Sequence, residues 1–385
     1  MTVAGIMSGT SADGIDVAVL QIQPHRGQCR LNLLGHTAFP FSPALRKAIL
    51  AAMDAKSTST AELARLNWRL GQAYAEAVRS TLNHYPCRLE LIGCHGQTVY
   101  HQAMPAPYAG RKVACTWQIG EPALLAAELG VPVVSNFRPA DMVTGGQGAP
   151  LVPLLDYVQF ADKKRARVLQ NIGGIGNLTL VPPASGINEI IAFDTGPGNM
   201  VIDALMQRLF GKPYDRGGKT AAKGRVLESA LTAALRHPFF KKPPPKSAGR
   251  EEFGAAFAEK FLRTCGKAKG AAEDTIATAT ALTAESIVDA FKRCVLPELQ
   301  RGTSVDYIVS GGGAKNSTLM EMLRNRLQPL GCSLIESTDA GIPVDAKEAA
   351  AFALLAYYTW HRRPANVPSA TGAKRPAILG QVSYV

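Results

Sequence analysis

The chain opens a strand, glycine turn, strand pattern twice, once from residue 3 in "VAGIMSGTSADGIDVAVLQI" and again from residue 167 in "RVLQNIGGIGNLTLVP". In the first copy Ile15, Val17 and Val19 alternate with Asp16 and Ala18, the period of a strand with one buried face. Each copy is followed by a further strand, "CRLNLLGHTAF" in the first and "INEIIAFD" in the second, and then by helix. A restart on this scale predicts an internal duplication. Two similar α/β domains would face each other across a cleft, each offering a glycine turn to it. The boundary falls near residue 165, within "ADKKRAR". Domain I is then 1–165 and domain II 166–344. The Ala-rich stretch "VDAKEAAAFALLAYYTW" at 344–360 is long enough to cross back, so that about 345–385 complete domain I.

Capping chemistry places the helices between. Ser42-Pro43 reads as an N-cap with proline at the first helical position. Ser59 and Glu62 form a capping box ahead of an amphipathic helix running to about His84. "LELIGCHGQTVY" returns to strand, Glu121-Pro122 opens a helix, and "VPVVSNF" is strand again. A helix starts near Asn199, "DYIVSGGGAKNSTLMEML" reads strand, glycines, helix, and the tail "VPSATGAKRPAILGQV" reads as loop.

Composition limits what such a chain can do. At 385 residues and 46% hydrophobic it can bury a sizeable core. The net charge of +12 raises nucleic acid as a partner, yet the Lys and Arg residues are scattered and no aromatic residues interleave with the densest run, "KKPPPKSAGREE". A basic surface meeting anionic small molecules fits better. Seven cysteines without close pairing argue against a disulfide framework or a cysteine metal site. The N-terminus lacks a basic leader, Asp13 and Asp16 interrupt its apolar run, and no stretch of 18 apolar residues spans a membrane. The expectation is a cytoplasmic protein.

Three glycine turns follow apolar runs: Gly9-Thr10-Ser11 with Asp13-Gly14, Gly173-Gly174-Ile175-Gly176, and Gly311-Gly312-Gly313. Any one could be an ordinary hairpin using glycine for positive φ. Together they read as backbone cradles for phosphate or nucleotide. No G-x-x-x-x-G-K-[ST] exists, so this is not a P-loop. Beside them, "FDTGPGN" sets the carboxylate of Asp194 at a turn of Gly196, Pro197 and Gly198. An acid beside a phosphate cradle needs a separate task. His95 ends a strand, where a histidine is more often structural than catalytic. With His101 it finds no third ligand at metal spacing. Arg138 and Asp141, three apart in a loop, read equally as a structural ion pair or as a polar ligand site. Glu348 begins the Ala-rich helix, where an acid suits the first turn, though its motif neighbours favour a site.

Ten blocks in order, "GIMSGTSADGID", "GCHGQT", "WQIGEPALLA", "GGQGAPLVP", "NIGGIGN", "FDTGPGN", "DRGGK", "PPPKSAGREEFG", "SGGGAKN" and "GIPVDAKEAAAFALLA", resemble the anhydro-N-acetylmuramic acid kinases from residue 5 to about 357. The resemblance implies an α/β fold of two duplicated ribonuclease-H-like domains, the actin-like ATPase and sugar kinase fold, around a central cleft. It implies ATP and Mg²⁺, the ion held mainly by ATP phosphates and water, and a homodimer. It implies a reaction in which 1,6-anhydro-N-acetylmuramic acid, from bacterial cell-wall recycling, is opened by water and phosphorylated on O6. Levoglucosan kinases do the same chemistry on a simpler sugar, and the superfamily also holds ATP-gated binding proteins.

By the same resemblance Asp194 is the catalytic base. Gly9, Thr10, Ser11, Ala12, Asp13, Gly14, Ile15 and Asp16 match the first nucleotide loop. Gly173, Gly174, Gly176 and Asn177 match the second, and Gly311, Gly312, Gly313 and Asn316 the adenosine-side loop. His95, Arg138, Asp141, Gly196, Gly198, Asn199 and Glu348 fall on the sugar side, with Arg138 the cation for the lactyl acid. The chain reads Asn136-Phe137-Arg138-Pro139 where relatives often have Asp-Phe-Arg and more basic residues, and Thr195 stands where a Cys is common.

Overall fold

The first apolar run forms β1 (Thr2–Met7), which pairs antiparallel with β2 (Gly14–His25), itself antiparallel to β3 (Gln28–Pro40). The computed structural model describes residues 1–25, 28–53, 55, 57–336 and 342–385. Its chain divides into two units, Met1–Gln159 with Asp345–Val385, and Phe160–Val344.

In the first unit β4 (Leu91–Cys94) adds parallel to β1, and a break at His95 and Gly96, the latter at φ +76°, leads into β5 (Gln97–Tyr108). Among the described residues this strand pairs only with β6 (Arg111–Ile119), a two-stranded ribbon that the sequence did not lead one to expect. β7 (Val133–Ser135) then adds parallel to β4. Helix Thr60–His84 begins where Ser59 Oγ accepts the N–H of Glu62, and it sends Leu66, Leu70, Tyr74 and Val78, spaced four apart, into the core beneath the sheet.

In the second unit β8 (Ala166–Ile172), β9 (Ile175–Val181) and β10 (Ile191–Pro197) form the antiparallel run, and β11 (Val305–Ser310) and β12 (Cys332–Glu336) add parallel beside β8. The sheet order β10-β9-β8-β11-β12 repeats the β3-β2-β1-β4-β7 order of the first unit, with the same strand senses. Helix Ala272–Cys294 is buried over most of Thr275–Phe291. Ile276, Ala279 and Leu282 join one apolar cluster, and Ala284, Ile287 and Phe291 join another.

Helix Lys347–Trp360 belongs to the first unit and lies against β1 and β4. Gly5 and Gly93 are register partners there. A Cβ on Gly5 would lie 1.8 Å from the carbonyl oxygen of Ala349, and one on Gly93 2.1 Å from that of Phe352. Only paired glycines let a helix backbone approach a sheet this closely. Gly341, which opens the last sequence motif, lies outside the described residues.

Three local readings are corrected. The tail is not all loop: residues Pro368–Thr371 are helical, and β13 (Gln381–Ser383) pairs antiparallel with β7. Arg138 and Asp141 sit on a short helix, Arg138–Val143, not in a loop. In "INEIIAFD" residues Ile187–Glu189 are a 3₁₀ turn, and the strand runs on through Gly196 and Pro197 with a bulge at Thr195. Gly196 and Pro197 are therefore strand, not turn.

Candidate active site

In the second unit the regular β9–β10 ladder, which holds as far as Asp194, decides which face that residue takes. Ser310, Asn171, Asn177 and Asp194 are successive register partners across β11, β8, β9 and β10, so their side chains share one face in one row. Gln170, fully buried, ties this region together. Its Nε2 donates to the Asn177 carbonyl at 2.9 Å and to Thr195 Oγ1 at 3.3 Å, while its Oε1 accepts from Tyr307.

The segment around residues 246–248 clamps the acid. Asp194 N–H donates to the Lys246 carbonyl at 3.0 Å, and Ala248 N–H donates to Asp194 Oδ2 at 2.8 Å. Loss of water pushes the Asp194 carboxyl up to about 6, with Glu251 adding and the Ala248 N–H and Lys246 opposing. Lys246 is buried over two rings, 4.7 Å from the Phe239 centroid and 5.7 Å from that of Phe193. Nothing local in "PPPKSAGREEFG" signals that it folds onto a residue some fifty positions earlier.

The glycines divide by what the protein itself demands of them. Gly196 has φ +145° and Gly311 φ +86°. A Cβ on Gly198 would meet the Gly173 carbonyl oxygen at 2.2 Å, and one on Gly14 that of Phe39 at 2.3 Å. On Gly176 it would meet Thr195 Oγ1 at 2.7 Å, and on Gly313 the Ile172 side chain at 2.3 Å. Each is explained by backbone or packing. Gly9, Gly173, Gly174 and Gly312 are different: none has a left-handed φ, and a Cβ there would meet nothing closer than 3.5 Å.

Other predicted side chains are likewise engaged within the protein. Asn316 Oδ1 caps helix Ser317–Leu327 by accepting from Leu319 N–H. Asn199 Nδ2 donates to the Ile172 carbonyl at 3.2 Å. In the first unit Ala12, at φ +54°, and Ile15 face the core, whereas Thr10, Ser11 and Asp13 are exposed. Asp16 Oδ1 lies 3.3 Å from His36 Nε2. The turn is held from behind by Gln97 Nε2 donating to the Gly9 carbonyl and Arg46 Nε to that of Ala12, both at 3.1 Å.

The first unit also gathers Arg138, His95, Asp141 and Glu348. Arg138 Nε and Nη2 donate to His95 Nε2 at 3.1 and 2.9 Å, and its Nη1 donates to the Gly148 carbonyl at 2.7 Å. Asp141 does not pair with Arg138. It is fully buried and accepts from Gly148 N–H at 2.8 Å, Asn366 Nδ2 at 2.8 Å and Thr371 Oγ1 at 2.7 Å. Burial lowers the guanidinium to about 10, with Glu348 and Asp141 opposing, so it stays charged at neutral pH. The Glu348 carboxyl, which still reaches solvent, is raised by crowding protein and by Asp16, against Arg138 and Lys347. Lys347 makes an ion pair at 2.6 Å with buried Asp156, which fixes the start of the helix carrying Glu348.

The family model described as anhydro-N-acetylmuramic acid kinase matches residues 1–385, the whole chain. The chain belongs to the anhydro-N-acetylmuramic acid kinase family. The kinase of that name from Bacillus cereus (strain AH187) is 44% identical over 387 residues, covering 100% of this chain and 99% of its own. That of Bacillus cereus (strain ZK / E33L) is 45% identical with the same coverage. Among solved structures, the Acidaminococcus fermentans (R)-2-hydroxyglutaryl-CoA dehydratase component A is 13% identical with a TM-score of 0.45, covering 93% of this chain and 98% of that one. As a member of the anhydro-N-acetylmuramic acid kinase family, the chain is an enzyme and a kinase.

Proposed function

We propose that this kinase opens 1,6-anhydro-N-acetylmuramic acid with water and transfers the γ-phosphoryl group of ATP to O6, giving N-acetylmuramate 6-phosphate and ADP. The observation that carries the mechanism is Asp194. One oxygen is held by Ala248, the other has no hydrogen-bond partner among the described residues, and the carboxyl is pushed up to about 6. A base titrating there is largely ionised at neutral pH yet holds a proton better than an ordinary aspartate.

Asp194 takes the proton of a water whose oxygen bonds to C1 as the C1–O6 bond breaks. The electron pair left on O6 attacks the γ-phosphorus, and the bond from that phosphorus to the bridging oxygen breaks to leave ADP. Asp194 then returns its proton to solvent. Atoms balance as sugar, water and ATP to sugar phosphate, ADP and a proton.

The glycines that the protein itself does not require, Gly9, Gly173, Gly174 and Gly312, are those whose backbone a phosphate group can approach. Among the described residues no group of three or more His, Cys, Asp or Glu is arranged to hold a metal. In this reading a Mg²⁺ carried by the nucleotide's phosphates and water would neutralise charge on the transferred group. A guanidinium has five N–H donors, so Arg138 keeps one on each terminal nitrogen for the lactyl carboxylate. This favours the acid-bearing sugar over levoglucosan, which has no acid. Glu348 is placed in this reading as an acceptor for a sugar hydroxyl. The matching order of the two sheets supports a duplicated ribonuclease-H-like origin for the units. A cytoplasmic homodimer belongs to the same reading and rests on family membership alone.

Reaction in ¹⁸O-water tests the proposal. Label is expected at the anomeric hydroxyl and none in the sugar phosphate. ATP consumption with labelled inorganic phosphate and unchanged sugar would overturn it.

A further inference from the structure

We infer that His95 is a positioning residue for Arg138, aiming the guanidinium at the substrate's acid group through an imidazole lone pair and never touching the sugar. This rests on the reading that Arg138 binds that carboxylate. His95 is 3% exposed, so its ring lies inside the protein and not at the surface. Its ring is wedged by Phe352, with centroids 4.6 Å apart, and Phe352 is in turn packed by Phe137 at 5.4 Å. Its backbone N–H is fixed to the Ile6 carbonyl at 3.0 Å, which sets the ring at the end of β4.

Arg138 has no acceptor, so a nitrogen receiving both Nε–H and Nη2–H must present a lone pair. The imidazole is therefore neutral, with its proton on Nδ1. Burial and the neighbouring Arg138 charge both keep it so. A protonated ring would turn an acceptor toward two donors into a repelling cation.

The remaining contacts complete the aim. Gly148 O accepts from Nη1 at 2.7 Å, and Gly148 is itself pinned by Asp141. One edge of the guanidinium faces the imidazole and one terminal nitrogen faces a carbonyl, so rotation about the side chain is restrained from two directions. A planar fork held this way loses little freedom when it meets a carboxylate. Helix Lys347–Trp360 presents Phe352 and Glu348 four residues apart, on one face, so the same helix seats the imidazole and carries the acid that faces Arg138.

The test uses His95→Leu, which keeps apolar packing but no acceptor, His95→Gln, which keeps an acceptor, Arg138→Ala, and the His95→Leu/Arg138→Ala pair. Steady-state kcat and KM are measured for the acid sugar and for ATP. His95→Leu should raise the sugar KM about tenfold or more with ATP KM unchanged, and the double variant should be no worse than Arg138→Ala alone. His95→Gln should stay within about threefold of the parent. Additive losses in the double variant, or equal rises in both KM values, would overturn the inference while leaving Arg138 as the acid's partner. An unchanged sugar KM in Arg138→Ala would instead remove the reading beneath it, and the inference with it. If His95→Leu does not fold, His95→Gln decides: a tenfold rise in its sugar KM overturns the inference.

Discussion

Ala248 donates its backbone N–H to Asp194 Oδ2 at 2.8 Å, while Asp194 N–H reaches the Lys246 carbonyl at 3.0 Å. The acid is thus gripped on both its backbone and its side chain by one short segment. That grip leaves the other carboxylate oxygen without a hydrogen-bond partner among the described residues.

Replacing Asp194 with Asn should lower kcat by about a thousandfold or more and leave ATP affinity within about threefold. In the parent enzyme kcat/KM should climb with pH through about 6 and then level, because the base must be ionised. Stability should move the other way. The folded carboxyl is raised from 3.8 to about 6, so the penalty for its charge is absent below about pH 4 and complete above about 6. Asn carries no such penalty. The variant should be the more stable protein at pH 7–8, by at most about 3 kcal/mol, and equal to the parent near pH 4. Urea midpoints at the two pH values check this.

Lys246 and Glu251 are the two charged side chains acting on Asp194, with opposite signs. Lys246→Met removes a charge that favours the carboxylate, so the rising limb of the pH profile should shift to higher pH. Glu251→Gln removes a charge that disfavours it, and the limb should shift to lower pH. Shifts in the same direction would show that the profile reports another group.

Gly173→Ala and Gly312→Ala should leave the unfolding free energy within about 0.5 kcal/mol, since no protein atom lies within 3.5 Å of the added carbon. Their KM for ATP should nevertheless rise about tenfold or more, from contact with phosphate. Gly198→Ala, 2.2 Å from the Gly173 carbonyl, should lose about 2–3 kcal/mol of stability. Urea melts alongside ATP kinetics separate the two classes.

Asp141→Ala should cost about 3 kcal/mol, because three buried donors, on Gly148, Asn366 and Thr371, lose their acceptor together. Glu348→Ala, at a carboxyl that reaches solvent, should leave the melting temperature within about 2 °C and act on sugar turnover instead. Melting curves on both variants decide whether Asp141 is structural support.

Much of the architecture was legible because its signals are local. Alternation marks β2, apolar runs around glycine turns mark β1, β8 and β9, and a cap marks the helix after Ser59. The β5 and β6 ribbon was missed: no turn signal was read at Ala109-Gly110, where both residues have positive φ. The tail strand Gln381–Ser383 was missed because three residues gain strand character only by pairing with Val133–Ser135.

The site divides on the same line. Residue identity and order along the chain determined that glycine turns follow strands, that an acid stands in "FDTGPGN", and which family the motifs resemble. Which glycines are free for a ligand and which are filled by the protein is a matter of atoms far apart in sequence, as with Gly198 against Gly173 or Gly313 against Ile172. Asp141 and Arg138 look like a pair three residues apart, yet the carboxylate turns inward to Asn366 and Thr371 while the guanidinium turns to His95. Only the folded chain brings those partners within hydrogen-bond distance, because a side chain's direction is set by whichever distant groups burial forces it to satisfy.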